Sequence, residues 1–214
     1  DFESVRLQTW IGEVSGVDDQ ILPSHLTRFD CRNNRLTQMG LETDGFADTV
    51  REAARKYGPD RVGVFLGTST SGILQAELAY RQRASVTGAL PEAFDYQSTQ
   101  NSFSPAEFTR AYLGLEGMAM AVSTACSSSA KVFAAAARHL ALGTIDAAVV
   151  GGVDTLCLTT LHGFASLQLT SPRPCKPYDA MRDGISIGEG AAFALLERVA
   201  PSSSAPGSVL LVGV

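Results

Sequence analysis

The sequence predicts an α/β fold built on a largely parallel β-sheet. Short apolar runs alternate with stretches of helical length, and glycine or proline separates most of them. A chain of 214 residues with 45% hydrophobic residues is long enough to bury a substantial core. Only 18% of the residues are charged, which favours close-packed helices and buried strands over a disordered chain.

The sequence of the first half of the chain predicts an irregular region followed by alternating helices and strands. Residues 1–45 are polar and irregular, with one strand candidate from Leu7 to Val14. Apolar residues at helical spacing predict helices, a short continuous apolar run predicts a buried strand, and a proline at the first helical position marks the start of a helix. The predicted elements are a helix from Gly45 to Tyr57, a strand from Arg61 to Leu66, a helix from Ile73 to Arg83, and a helix from Pro105 to Tyr112 capped by Ser104.

The second half predicts a strand, an alanine-rich helix and three further strands. The first strand runs from Met118 to Ser123, and the helix from Ser127 to Leu142 is ended by Gly143. Six alanines lie in this helix, and such small side chains predict close packing against neighbours on several sides. The remaining strands are expected at Asp146 to Val150, Ala191 to Leu196 and Val209 to Val212.

Composition excludes several classes of function. The net charge of −5, without any block of lysine and arginine, argues against nucleic-acid binding. Four cysteines are widely spaced without a CxxC pair, so we expect no metal site and no disulfide scaffold. We also expect no cofactor. The most apolar stretch, Met118 to Val153, contains charged residues and does not predict a membrane span. Without a predicted membrane span and with cysteines expected to be reduced thiols, we expect a soluble, cytoplasmic protein.

Cys126 is the main candidate for chemistry. The sequence STACSSSA, residues 123–130, joins a predicted strand to the alanine-rich helix, so Cys126 should lie at or just before the helix N-terminus. Unpaired amide N–H groups and the positive end of the helix dipole favour a thiolate there, and the amides can also form an oxyanion hole. The alternative is a small buried cysteine that only fills space.

Two blocks of sequence carry a resemblance to a known family. The first is TACSSS (124–129), the alanine-rich helix, GxxD (143–146) and a glycine pair (151–152); the second is PYD (177–179), RDG (182–184) and GEGA (188–191) before a strand. With these motifs in order, the chain from about Arg61 to Val214 resembles the elongating β-ketoacyl-acyl-carrier-protein synthases of the thiolase superfamily. Residues 1–45 match only loosely.

The resemblance implies a thiolase-like αβαβα layered fold made of two similar halves and working as a homodimer. Residues 1–214 would be the N-terminal, cysteine-bearing half, with a mixed, mostly parallel sheet. In this family the cysteine takes an acyl group from acyl carrier protein as a thioester. Malonyl-acyl carrier protein then loses carbon dioxide, and its enolate attacks that thioester. Cys126 matches the family nucleophile.

The resemblance also implies two substrate-binding residues. Thr70, in the turn from Gly67 to Gly72, matches a segment near the acyl pocket. Phe164 matches a position where an aromatic ring lines that pocket, and ordinary core packing is the alternative. Residues 96–103 match a loop that reaches toward the partner subunit.

Some parts of the family pattern are missing. The family uses two histidines, a lysine and a glycine-rich loop from its second half, and the three histidines here (His25, His139 and His162) match none of these. The family's opening strand is missing as well. We therefore expect a fragment, an incompletely observed chain or one piece of a split protein, inactive alone.

Other functions remain alternatives. A GxSxG pattern at 184–188 matches serine hydrolases, but no histidine follows position 162. A non-catalytic partner subunit that shapes chain length is the main alternative, although such subunits typically lack the cysteine. A heterodimer with a related subunit is also open. The stretches DCRNNR (30–35) and TLC (155–157) favour synthases of bacterial polyene clusters over ordinary fatty acid synthesis.

Overall fold

Residues 2, 6–199 and 209–213 are described by the structure, a computed structural model. Helices and strands alternate along most of the chain, as the sequence predicts. Short 3₁₀ helices span Ser24–Phe29, Thr43–Gly45 and Pro59–Arg61. The other elements are β1 (Ile11–Gly12), α1 (Arg32–Glu42), α2 (Phe46–Tyr57), β2 (Val62–Gly67), α3 (Ile73–Arg81), α4 (Ser104–Leu113), β3 (Ala119–Val122), α5 (Ser128–Leu142), β4 (Ala147–Asp154), α6 (Leu158–Ser166), β5 (Ile187–Gly188) and β6 (Gly190–Glu197).

The main sheet has four strands in the order β3-β2-β4-β6. β2 pairs parallel with both β3 and β4, and β6 pairs antiparallel with β4. The sheet is therefore mixed and mostly parallel, as expected. Because parallel strands run in one direction, the carboxyl ends of β2, β3 and β4 meet at one edge of the sheet, where their following loops come together.

Helices cover both faces of this sheet. Every residue of β2 is buried, and its side chains alternate between two apolar clusters. Val64 and Leu66 pack on one side with residues of α2 and α4, whereas Phe65 packs on the other side with Val132 and Ala136 of α5. Burial on both faces explains why this strand is apolar without alternation.

Some elements differ from the sequence predictions. Residues 1–45 contain the regular helix α1, which apolar periodicity misses because much of its buried face is polar. The strand expected from Leu7 to Val14 is reduced to Ile11–Gly12, paired with β5. The strand expected from Val209 to Val212 is wrong, since these residues have no regular secondary structure and are exposed to solvent. The helix α6 was not predicted either.

The expected cap of α4 and the expected burial of α5 are also wrong. Ser104 does not cap α4 from outside but begins the helix, and its hydroxyl donates a hydrogen bond to the Ser98 carbonyl (2.5 Å). The alanine-rich helix α5 is not buried on several sides. Only a stripe at the i, i+4 spacing is buried, and Ala130 and Ala141 are exposed. In this chain the helix has one packed face.

A buried ion pair joins distant parts of the chain. The Glu189 carboxylate accepts two hydrogen bonds from the Arg32 guanidinium (2.6 and 2.9 Å) and one each from the N–H groups of Val14 (2.9 Å) and Leu156 (3.1 Å). Burial alone would raise the pKa of Glu189, but these donors hold it below its usual value. The pair ties the N-terminal segment and α1 to the loops beside the main sheet. Within the described residues, no helix is long and apolar enough to cross a membrane.

Candidate active site

Cys126 lies between β3 and α5, exposed to solvent and two residues before the helix begins. This is the strand-to-helix junction that the sequence predicts. In this chain Cys126 is exposed and not buried, and its role as the nucleophile stays a prediction. All four cysteines are described and free, and among them only Cys126 is exposed.

The backbone just before the nucleophile candidate is strained and firmly held. Ala125 has a φ of +54°, a left-handed conformation that is unfavourable for alanine. Its carbonyl oxygen accepts three hydrogen bonds, from the Ser128 N–H (3.0 Å), the Ser128 hydroxyl (2.6 Å) and the Ser69 hydroxyl (3.0 Å). Such a conformation persists only when its surroundings hold it in place.

The serines after Cys126 do not cap α5. The Ser127 hydroxyl donates to the Thr124 carbonyl (3.0 Å), and α5 has no side-chain cap. The Ser128 hydroxyl donates to Ala125 instead. Within the described part of the chain, no oxygen accepts a hydrogen bond from the N–H groups of Ser129 or Ala130. Unbonded amides therefore remain at the helix end that Cys126 precedes, where they favour negative charge.

A pair of glycines brings α5 close to the sheet. Gly67 ends β2 and lies beside Gly152 of β4 in the parallel register. A Cβ atom at Gly67 would collide with the backbone of Ser128 and Ser129, and one at Gly152 would collide with the Ser129 side chain. The first turn of the helix therefore rests directly on the strands. This contact sets the position of the cysteine junction.

The other three cysteines are in less reactive environments. Burial raises the pKa of Cys31 to about 12 and also raises the pKa of Cys157. Cys175 is half-buried in the loop before β5. A thiol whose pKa is raised forms little thiolate near neutral pH, so Cys31 and Cys157 are poor nucleophiles.

Thr70 lies near the junction, but its hydroxyl has internal partners. It donates to a carboxylate oxygen of Asp154 (3.0 Å) and accepts from the N–H of Thr155 (3.0 Å). The residue is only 6% exposed. Contact between Thr70 and a substrate stays a prediction, and the hydrogen bonds give this residue a role in joining two loops.

Phe164 lies on α6 and is half-buried. Among the described residues it does not belong to the apolar clusters that fill the faces of the sheet. The N-terminus of α6 is held by Glu77 of α3, whose carboxylate accepts hydrogen bonds from the N–H groups of Leu158 (2.9 Å) and Thr159 (2.7 Å). The role of Phe164 in lining an acyl pocket stays a prediction.

The three histidines lie on three different elements. His25 and His162 are exposed on other elements. His139 lies in the last turn of α5, about 20 Å along the helix from the cysteine junction at 1.5 Å per residue. Its ring hydrogen-bonds Thr144 (3.0 Å). Among the described residues, no group of three or more His, Cys, Asp or Glu side chains could hold a metal ion.

Sequence reasoning missed two residues that organise this region. Asp154, the last residue of β4, accepts hydrogen bonds from the N–H groups of Ser69 (2.6 Å) and Thr70 (2.8 Å) through one carboxylate oxygen. The two carboxylate oxygens of Glu77 accept one hydrogen bond each from the N–H groups of Leu158 and Thr159 at the start of α6. Asp154 could have been found from the sequence, because it is an acidic residue at the end of a buried strand. Polar side chains at the carboxyl end of a parallel strand lie beside the ends of the neighbouring strands.

Comparisons with known proteins agree with this geometry. The model of the family "Beta-ketoacyl synthase, N-terminal domain" matches residues 20–202. Nodulation protein E of Rhizobium meliloti is 30% identical over 209 residues, which are 94% of this chain and 50% of that protein. The chain thus spans about half the length of such relatives.

Solved structures give the same result. A ketosynthase of Xenorhabdus doucetiae, ApeO, determined in complex with its chain length factor ApeC, is 35% identical, with a TM-score of 0.76 over 90% of this chain and 47% of that one. A β-ketoacyl synthase of Burkholderia phymatum is 25% identical, with a TM-score of 0.69 over 83% of this chain and 44% of that one. These matches confirm the thiolase-like fold. By fold, by the Cys126 junction and by the extent of the family match, the chain belongs to the β-ketoacyl synthase family through its N-terminal domain.

Proposed function

We propose that Cys126 accepts an acyl chain from acyl carrier protein as a thioester, for use in a decarboxylative Claisen condensation. The observation that carries this proposal is an exposed cysteine at a strand-to-helix junction, beside helix amides that have no bonding partner among the described residues, in a chain of this family. A thiolate is favoured there, and the amides suit the oxyanion that forms when a thioester carbonyl is attacked.

The proposed chemistry has two stages. In the first, the Cys126 sulfur forms a bond to the acyl carbonyl carbon, the bond from that carbon to the carrier protein's sulfur breaks, and the cysteine proton leaves with the carrier thiol. In the second, malonyl-acyl carrier protein loses carbon dioxide, and the electron pair of the broken bond forms a carbon–carbon bond to the acyl group. The Cys126 sulfur departs as the thiolate and takes up a proton from solvent, which returns the site to its starting thiol.

The whole protein would contain more than this chain. Relatives such as nodulation protein E are about twice as long as the part matched here. We propose that residues 1–214 are the N-terminal half and that a second half supplies the histidines that stabilise the enolate. The active assembly would be a homodimer, or a heterodimer as suggested by the pairing of ApeO with a chain length factor.

The biosynthetic pathway and the cellular location are proposed as broad classes. Relatives include a spectinabilin polyketide synthase system protein of Streptomyces orinoci, 36% identical over 180 residues, which are 83% of this chain and 5% of that protein. Polyketide or polyene synthesis is favoured on this basis, with fatty acid synthesis as the alternative. Four free cysteines fit a reducing, cytoplasmic location.

A second candidate function is a non-catalytic subunit that shapes chain length. This candidate is supported by one observation: a similar ketosynthase forms a complex with a chain length factor. The exposed Cys126 favours the catalytic subunit instead, since a subunit that only shapes a cavity has no use for a reactive thiol at this junction. Acylation distinguishes the two.

The test uses the full-length protein with a radiolabelled acyl-acyl carrier protein. We expect label to appear on the peptide that contains Cys126 and to disappear in Cys126→Ala, whose circular dichroism should match that of the wild type. Cys175→Ala is the matched control and should keep the label. Label retained by Cys126→Ala would contradict the nucleophile assignment, and an unlabelled wild type would favour the non-catalytic subunit.

A further inference from the structure

Asp154 organises the loop that follows β2. One oxygen of its carboxylate accepts hydrogen bonds from the N–H groups of Ser69 (2.6 Å) and Thr70 (2.8 Å) and from the hydroxyls of Thr68 (3.1 Å) and Thr70 (3.0 Å). Hydrogen bonds to a carboxylate are stronger than those between neutral groups. The four donors come from three consecutive residues, so the carboxylate fixes the conformation of this loop.

The loop in turn holds the residue before Cys126. With its N–H bound to Asp154, Ser69 directs its hydroxyl to the carbonyl oxygen of Ala125 (3.0 Å). This hydrogen bond crosses from the end of β2 to the end of β3. It adds to the two that Ser128 donates to the same oxygen.

The Ala125 carbonyl and the Cys126 N–H are two ends of one peptide unit. A trans peptide is planar, so its C=O and N–H point in opposite directions. Whatever fixes the direction of the Ala125 carbonyl therefore also fixes the direction of the Cys126 N–H. In a thioester attack by the sulfur, the oxyanion forms on the acyl group bound to the same residue, and an N–H directed at it stabilises the negative charge.

We propose that Asp154 and Ser69 are positioning residues that aim the Cys126 N–H at the oxyanion of the acylation reaction. The link runs from the Asp154 carboxylate to the Ser69 backbone, from the Ser69 hydroxyl to the Ala125 carbonyl, and through that peptide to Cys126. This inference rests on the proposed function and extends it to residues that never touch the substrate.

The test compares two reactions of the same sulfur. Acyl transfer from acyl carrier protein passes through an oxyanion, whereas alkylation by iodoacetamide is a direct displacement without one. In the full-length protein, Ser69→Ala should slow acylation of Cys126 by about 10-fold, less than the 10²–10³-fold cost of deleting an oxyanion donor outright. The rate of alkylation should stay within about 2-fold of the wild type, since the exposure of the sulfur does not depend on the peptide direction.

Matched variants complete the experiment. Ser69→Thr keeps a hydroxyl and should restore acylation, and Asp154→Ala, which removes the acceptor oxygen, should resemble Ser69→Ala. Thr43→Ala is the control, because Thr43 is also exposed and donates its hydroxyl to a backbone carbonyl (Met39, 2.9 Å) away from the junction. Melting temperatures are measured for all variants.

Two results would overturn the inference. Equal slowing of acylation and alkylation would show a general disturbance of the junction, and unchanged acylation in Ser69→Ala would show that the link has no role. Either result leaves the proposed function standing, provided that the wild type is acylated. A wild type that accepts no acyl group would overturn both.

Discussion

At the scale of single residues, environment decides which cysteine can react. Cys126 shares its side-chain type with Cys31, Cys157 and Cys175, and type alone favours a buried role for each. The structure separates them by burial and by what lies next to the sulfur. The sequence context of Cys126 predicted its position correctly, because a strand-to-helix junction is a local feature.

We expect iodoacetamide or cerulenin to label Cys126 much faster than the other cysteines in the intact protein. Cys31 and Cys157 are buried and their thiols have raised pKa values, so little thiolate is present near pH 8. Peptide mass spectrometry over a time course measures the four rates separately. Equal labelling of all four would contradict the assignment of Cys126 as the nucleophile.

Replacement of Phe164 by alanine should change the preference for acyl-chain length with little loss of stability. The ring is half-buried and lies outside the core clusters, so we expect the free energy of unfolding to fall by less than about 2 kcal/mol. Competition between acyl-carrier-protein substrates of different length measures the preference. Phe65→Ala is the comparison, because this fully buried ring should cost about 3–5 kcal/mol. A similarly large loss for Phe164→Ala without altered preference would indicate core packing.

At the scale of elements, α1 and α5 show the limits of pattern recognition. The buried residues of α1 include Arg32, Asn33 and Asn34, so the helix lacks the apolar stripe by which helices are recognised. In α5 the alanines predicted broad burial, yet one face is packed in this chain. Composition permits close approach, but it does not say which faces receive a neighbour.

Gly67→Ala should disturb the contact between α5 and the sheet. The added Cβ would collide with helix backbone that cannot move aside, so we expect a loss of about 1–3 kcal/mol in the free energy of unfolding. Gly163→Ala is the matched control, because its Cβ would meet no atom within 4 Å and the site is helical. That variant should gain up to about 1 kcal/mol. Denaturant unfolding measures both, and a neutral Gly67→Ala would contradict the close contact.

At the scale of the whole molecule, the Arg32–Glu189 pair connects segments 157 positions apart in sequence. The Glu189 side chain is fully buried and all its hydrogen bonds come from separate parts of the chain. The resemblance to the family located Glu189 within a motif, but only the folded chain shows its partners. This pair ties the loop after β4 to the N-terminal region.

Glu189→Gln should lower the free energy of unfolding at pH 7 by about 1–3 kcal/mol, because a neutral amide replaces the buried charge partner of Arg32, which keeps only its more exposed partners Glu13 and Asp18. The folded-state pKa of Glu189 is lowered, so its contribution is present above the usual glutamate pKa and is lost as pH falls through the folded value. The difference between wild type and variant should therefore shrink below about pH 4. Denaturant unfolding from pH 7 to pH 3 measures this. Glu52→Gln, in an exposed ion pair, is the control and should change the free energy of unfolding little. A pH-independent difference for Glu189→Gln would contradict the charge-based explanation.

From the sequence by itself came the α/β class, the strands of the main sheet, the helices α2 and α5, and the position of Cys126 between a strand and a helix. These are local features, since periodicity and turn residues record what happens within one or two turns of chain. Only the tertiary structure decided the polar burial of α1, the Arg32–Glu189 pair and the link from Asp154 through Ser69 to Ala125. The partners in these contacts lie 56 to 157 positions apart, and which of them meet depends on the path of the chain through the sheet, which no local pattern contains.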